Sequence, residues 1–151
     1  MCGNHIIEPG ETCTNCSTDC QILTCNPGTP VHAFSVDFDR PAGNDVNTAT
    51  VLVGYRSDHA SIPGSGNASS VTARVKNRPS NAIVSINDLD YALRVLISRS
   101  SPISPGRLFT VDFDPCTGKP VPTLADFACT VLECLNGFGS VDGCTCSVTS
   151  P

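Results

Sequence analysis

Ser85-Ile-Asn-Asp-Leu-Asp-Tyr-Ala-Leu-Arg-Val-Leu-Ile-Ser-Arg-Ser-Ser-Pro-Ile-Ser-Pro-Gly-Arg-Leu-Phe-Thr-Val-Asp-Phe-Asp-Pro-Cys116 is the stretch in which the fold is most legible. Tyr91, Leu93, Val95 and Ile97 alternate with Ala92, Arg94, Leu96 and Ser98, the period of two that turns one set of side chains inward and the other outward on a strand. Pro102, Pro105 and Gly106 then interrupt the pattern, as a turn requires. From Leu108 alternation resumes, with Phe109, Val111 and Phe113 on one side and Thr110, Asp112 and Asp114 on the other. The stretch predicts two strands around a turn, at the centre of a larger β structure.

Composition extends that reading to the whole chain. Twelve prolines and twelve glycines in 151 residues mean short elements joined by many turns, and no useful helix-period run exists, so an all-β sandwich is expected. A chain of this length makes one domain, burying roughly 68–70% of the surface its unfolded form exposes. The net charge is −5, and the nine Lys and Arg residues are scattered. Nucleic acid and anionic membrane surfaces, which need concentrated basic patches, are therefore poor partners. No apolar run approaches the ~18 residues of a membrane span.

Ten cysteines with only three histidines point to disulfides rather than metal, and so to an oxidising, extracellular or cell-surface location. Met1 is followed at once by Cys2 with no leader-like apolar run, so the expectation is a mature or trimmed chain with an added methionine.

Residues 1–26 form a cysteine-rich segment, 27–30 a Pro/Gly linker, and 31–151 the sandwich. The first part, Cys2-Gly-Asn-His-Ile-Ile-Glu-Pro-Gly-Glu-Thr-Cys-Thr-Asn-Cys-Ser-Thr-Asp-Cys20 with Cys25, has too little apolar content to hold itself together without cross-links. Cys13-x-x-Cys16 with Cys2, His5, Cys20 and Cys25 admits a zinc reading, disfavoured because the Cys-x-x-Cys pair is not repeated and the setting is oxidising. Asn4, Glu8, Glu11 and Asp19 offer hard oxygen ligands for Ca²⁺; the plainer alternative is solvated turn residues between disulfides. No other cofactor is expected.

In the main part, strands are expected over 31–39, 49–55, 71–76 and 82–86, with a small-residue loop over 61–70. After Cys116 a loop leads to 127–134 and 141–148, read as a hairpin around Asn136-Gly-Phe-Gly139. Val36-Asp-Phe-Asp39 and Val111-Asp-Phe-Asp114 repeat one another. Paired Ca²⁺ ligands are one reading of that echo, and the pleat of a half-buried strand with its acids outward is the other.

Cysteine parity carries the sharpest inference. Cys2, Cys13, Cys16, Cys20 and Cys25 lie in the first segment and Cys116, Cys129, Cys134, Cys144 and Cys146 in the second. Both sets are odd, so full pairing requires at least one disulfide from the segment to the sandwich or to another copy of the chain. Cys144 and Cys146 share a face, so each meets a cysteine on a neighbouring strand. Cys134–Cys144 and Cys116–Cys129 are the expected pairs, which leaves Cys146 as the link.

Two resemblances rest on these residues. Cys2-Gly-Asn4, Glu8-Pro-Gly-Glu-Thr-Cys-Thr-Asn-Cys16 and Asp19-Cys20 resemble the short cysteine-rich repeats of secreted bacterial proteins, except that His5 stands where glycine is usual and Ile7 where a cysteine is frequent. Ala49-Thr-Val-Leu-Val-Gly-Tyr55 followed by Ile62-Pro-Gly64, the 91–97 strand, Gly106-Arg-Leu-Phe-Thr-Val-Asp-Phe113 and the 138–146 hairpin resemble the cohesin-like domains of secreted bacterial proteins. The resemblance implies a jelly-roll sandwich of about nine strands. It further implies a non-catalytic module for protein binding or self-assembly, whose partner is dockerin-like or a copy of itself, as in a surface fibre or layer.

Carbohydrate binding or adhesion on the same fold is the alternative, weakened because the chain has no Trp and only two Tyr. Catalysis is not expected. His5, His32 and His59 stand beside no persuasive nucleophile, and Ser65 in Pro63-Gly-Ser-Gly66 lacks the Gly-x-Ser-x-Gly elbow. Asn15-Cys-Ser17 and Asn67-Ala-Ser69 fit the glycosylation sequon, as short motifs often do by chance.

Overall fold

The alternating runs resolve, among the described residues, into β1 (His32–Asp39), β2 (Thr48–Tyr55), β3 (Ala60–Ser61), β4 (Val75–Lys76), β5 (Ile83–Asn87), β6 (Ala92–Ser98), β7 (Gly106–Pro115), β8 (Phe127–Asn136), β9 (Gly139–Ser140) and β10 (Thr145–Thr149). The structure is a computed structural model describing residues 2–20, 23–87, 92–137 and 139–150, the side chains of Cys20 and Asn87 excepted. Tyr91 and Phe138, both used in the sequence reading, lie outside the described residues.

The strands form an all-β sandwich with a disulfide-rich N-terminal extension. One antiparallel sheet runs β10-β1-β7-β3, with β4 also pairing β7, and the other runs β5-β6-β2-β8-β9. The inward sets are those that alternation predicts: Phe34, Val36 and Phe38 on β1; Ala49, Val51, Val53 and Tyr55 on β2; Leu93, Val95 and Ile97 on β6; Phe109, Val111 and Phe113 on β7. Phe34, Tyr55, Phe113 and Phe127 knit the two layers together, with Phe113 ring centroids 5.1 Å from Tyr55 and 4.8 Å from Phe127.

Three sequence expectations are corrected. The two strands of the opening stretch are not a pair, because β6 and β7 lie in different sheets. The Pro/Gly segment between them crosses the end of the sandwich, burying Ile103 to 1% exposure and bonding its amide to the Val46 carbonyl at 2.6 Å. An apolar residue between two prolines thus plugs the core.

The strand expected over 71–76 begins instead as a single helical turn, α1 (Ser69–Thr72), and only its last two residues form β4. Val71 and Val75 are both fully buried. Their spacing of four fits a helical turn as well as a strand.

The C-terminal hairpin closes only at Leu135↔Ser140 and Asn136↔Gly139. The chain then changes sheets, and β10 pairs β1 from Ser35↔Thr149 to Asp39↔Thr145.

That change of sheet makes the C-terminal disulfides into staples between the layers, since Cys129–Cys146 and Cys134–Cys144 join β8 in one sheet to β10 and the residue before it in the other. Cys144 and Cys146 do each meet a cysteine, with Cys134–Cys144 as expected, but their partners lie on β8 in the facing sheet and not on a neighbouring strand of their own. Cys129 and Cys134 are five apart, which in a regular strand points them to opposite faces. A register shift places Glu133 opposite Thr50 and Val131 opposite Val51, so Leu132 is the extra, bulged residue. Cys129 therefore lies opposite Val53 and Cys134 opposite Ala49, both on the inward face of β2.

The repeated Val-Asp-Phe-Asp lies on the neighbouring antiparallel strands β1 and β7. Its acids are engaged separately. Asp112 pairs with Lys76 at 2.6 Å and Asp114 with Arg74 at 2.6 Å, while Asp37 accepts the hydroxyls of Ser35 and Thr149. The acids of β7 thus bind the β4 segment instead of open water, and the echo makes no shared ligand set.

Candidate functional site: the N-terminal segment and its seat on the sheet

Among the described residues the N-terminal segment contributes two buried aliphatic side chains, Ile6 and Ile7, and Ile7 spends its apolar surface on the sandwich. It packs on Leu52 and Ala92, which lie on the outward face of β2 and β6. Leu52 is an apolar residue on a face that alternation assigns to solvent, and Ile7 is what covers it. Gly54, two residues along the same face, makes the approach possible, because a Cβ there would collide with the Ile7 carbonyl. Gly54→Ala is expected to cost about 1–3 kcal/mol through this overpacking, read as a lower denaturant midpoint with an unchanged slope. An unaltered midpoint would mean that Ile7 does not sit there.

His5 has φ 63°, the left-handed region that glycine adopts without strain. Ile7 is the anchor on the sheet.

Cys25–Cys116 closes the far end of the segment. The residues expected as a free linker are zipped to the end of β7 and the residues beyond it. Gly28 donates its amide to the Pro115 carbonyl and Thr117 donates to the Asn26 carbonyl, both at 2.7 Å, and Pro27 and Cys116 form a bridge. The odd-plus-odd parity is thus satisfied within the chain. The linking cysteine is Cys116, not Cys146, and Cys129 pairs with Cys146 rather than with Cys116. No free cysteine is found among the described residues, which removes the basis for a cross-link to a second copy.

Inside the segment Asp19 is the hub. It is 1% exposed, and its Oδ1 accepts the amides of Gly3 at 2.9 Å and His5 at 2.8 Å. Asn4 accepts the Ile6 amide and donates to Glu8 Oε1, and the Glu8 amide donates to Glu11 Oε1. Of the four oxygen ligands expected from sequence, Glu11 and Asp19 come together beside Cys2 and Cys16, with ligand atoms within 4.8 Å of one another. Asn4 is tied into its own turn and Glu8 is not part of that group. Cys2 and Cys16 are joined to each other, and Cys13 and Cys25 are also oxidised, so among the described side chains the zinc reading has no thiolate to use.

His59 Nδ1 lies 2.9 Å from Asp126 Oδ1, and Asp126 Oδ2 accepts the Thr123 amide in the capping box of the short 3₁₀ turn Leu124–Asp126 that leads into β8. Arg56 Nε donates to Asp58 at 2.7 Å. Burial pushes the Asp58 carboxyl up, but the Arg56 hydrogen bond and charge outweigh it and hold the group below its ordinary value of 3.8. His32 opens β1 and Ser65 is exposed before α1. Asn15 of the first sequon accepts the Thr12 amide and donates to the Gly10 carbonyl, whereas Asn67 is exposed.

Two further surface features belong to the sandwich. At one end the β1–β2 loop, the β6–β7 crossing and the β8–β9 turn enclose an open cup of about 350 Å³ lined by Asn44, Asp45, Asn47, Ser100 and Asn136. Along β8, β2 covers one edge throughout, while β9 covers the other only at its last two residues. Residues 127–133 present an edge that no other described strand pairs.

Comparison with protein-family models, with curated proteins and with solved structures finds no match. No described helix is long and apolar enough to cross a membrane.

Proposed function

We propose that this chain is a non-catalytic extracellular or cell-surface module that binds protein, its partner being either a dockerin-like module or a second copy of itself in a surface assembly. The observation that carries the reading is the open edge of β8. Of the five large apolar side chains exposed among the described residues, Val121, Leu124 and Leu132 lie on β8 or on the segment leading into it. An unpaired edge with apolar side chains beside it takes an extended partner segment by strand addition, main-chain bonds giving affinity and side-chain contacts selectivity. The cross-links that join both β10 and the N-terminal segment to the sandwich suit a module that works outside the cell. The cohesin resemblance agrees with the same use, with function carried by the surface and not by the fold.

Electron microscopy and light scattering on the oxidised chain, with and without Leu132→Lys, test this reading. Oligomers or fibres that disappear in the variant while its melting temperature holds support self-association through β8. For the dockerin-like arm, binding of a purified dockerin module that Leu132→Lys abolishes is the corresponding result.

The cup supports a second reading, carbohydrate binding, because amide and carboxylate side chains suit sugar hydroxyls. Specific glycan-array signals that vanish in Asn44→Ala, with no assembly and no dockerin binding, would favour that reading over the first.

A further inference from the structure

Arg78, Arg99 and Arg107 are separated in sequence, but the turn after β4 and the β6–β7 crossing bring them to one pocket of about 260 Å³. Among the described residues no acidic side chain lines it. Elsewhere Arg40, Arg56, Arg74 and Lys76 each pair with an aspartate, whereas no described carboxylate pairs with these three arginines. The partners that two of them have are neutral. Arg78 Nη1 donates to the Thr72 carbonyl at 3.3 Å and to the Val75 carbonyl, and Arg99 Nη2 donates to the Ser101 hydroxyl at 3.2 Å. Asp37 stands opposite Arg107 in the β1–β7 register, but its carboxylate accepts the Ser35 and Thr149 hydroxyls instead.

Three positive charges around one pocket repel one another, and an anion held among them turns that repulsion into attraction. The walls are fixed before any ligand arrives. Asn77, at φ 57°, donates its side-chain amide to the Thr110 hydroxyl at 3.1 Å, which ties the turn carrying Arg78 to β7. The two carbonyl bonds then hold the Arg78 guanidinium in place, and the buried Ile103 and Leu108 back the pocket. Donor geometry selects among anions, because each guanidinium presents a planar fork of N–H groups. A carboxylate has two oxygens and fills one fork, while a tetrahedral oxyanion has an oxygen for each of three.

We propose that Arg78, Arg99 and Arg107 form a binding site for a tetrahedral oxyanion, a sulfate or phosphate group. The site shares no residue with the β8 edge or with the cup, so it stands or falls separately from the protein-binding reading.

The test is titration of the full oxidised chain with sodium sulfate and with sodium phosphate by calorimetry, ionic strength being held constant with NaCl so that screening does not change. One saturable site per chain is expected, with a melting temperature higher in the bound anion than in chloride alone. Arg107→Gln removes a side chain that makes no printed bond within the fold, so it keeps the melting temperature in chloride and is expected to weaken anion binding about tenfold or more. Lys119→Gln makes the same change of charge beyond the other end of β7 and leaves binding intact. Glucose 6-sulfate, with glucose as its control, separates the two sources of the group: tighter binding than inorganic sulfate assigns the site to a sugar ester, and weaker binding to the free anion. Absence of saturable binding by all three anions would overturn the proposal. Binding that Arg107→Gln leaves unchanged, or that Lys119→Gln weakens equally, would overturn it as well.

Discussion

Replacing Cys25 and Cys116 together by serine is expected to lower the stability of the oxidised chain by about 4–5 kcal/mol. The two residues are 91 apart in sequence, and the chain-entropy cost of leaving a loop of that length open in the unfolded state is about 4.6 kcal/mol. The cost falls on both parts of the protein. The zipper of residues 26–28 against 115–117 loses its covalent clamp, and the N-terminal segment is left to the Ile7 contacts on Leu52, Gly54 and Ala92 among the described residues. Guanidinium unfolding measures the first effect, and amide exchange over residues 3–8 the second. A loss below about 1 kcal/mol, with exchange unchanged, would mean that the segment is held by something other than this bridge.

Phe113→Ala is expected to cost about 3–5 kcal/mol, the range for deleting a buried ring. Phe113 is fully buried and touches rings from both layers: Phe34 on its own sheet, and Tyr55 and Phe127 on the other, at centroid distances of 6.4, 5.1 and 4.8 Å. Removal opens a cavity between the sheets that none of these neighbours fills without leaving its own packing. A double-mutant cycle with Phe127→Ala is expected to show about 0.5–1.5 kcal/mol of coupling from the ring pair. A shift in denaturant midpoint equivalent to less than about 1 kcal/mol would contradict the assignment of Phe113 to the inter-sheet core.

Strand identity was legible because each strand of a sandwich has one buried face, and period-two patterning records burial. That is why the inward residues of β1, β2, β6 and β7 could be named from sequence. Patterning does not record which strand lies alongside, so β6 and β7 read as a pair although Ile103 carries the chain from one sheet to the other. Parity showed that a cross-link must leave the N-terminal segment, since odd numbers of cysteines cannot pair off internally. It could not say that Cys116 receives it, because the bulge at Leu132, which puts Cys129 and Cys134 on one face, has no signature in spacing.

At the candidate site the acids Glu11 and Asp19 were visible as hard ligands, but only the folded turns separate them from Asn4 and Glu8. The seat of the segment was missed, although a signal existed: Leu52 is apolar between Thr50 and Gly54 on the face assigned to solvent. Such a residue asks what covers it, and Ile7 is the answer.

Closure of the N-terminal segment onto its own sandwich is what leaves the proposed docking edge on β8 to other molecules. Mass-spectrometric peptide mapping of the oxidised chain under non-reducing conditions tests this directly. It is expected to recover Cys25 joined to Cys116 of the same chain, with Cys2–Cys16, Cys129–Cys146 and Cys134–Cys144. Recovery of Cys116 joined to Cys129, or of Cys25 joined to a second copy, would contradict it.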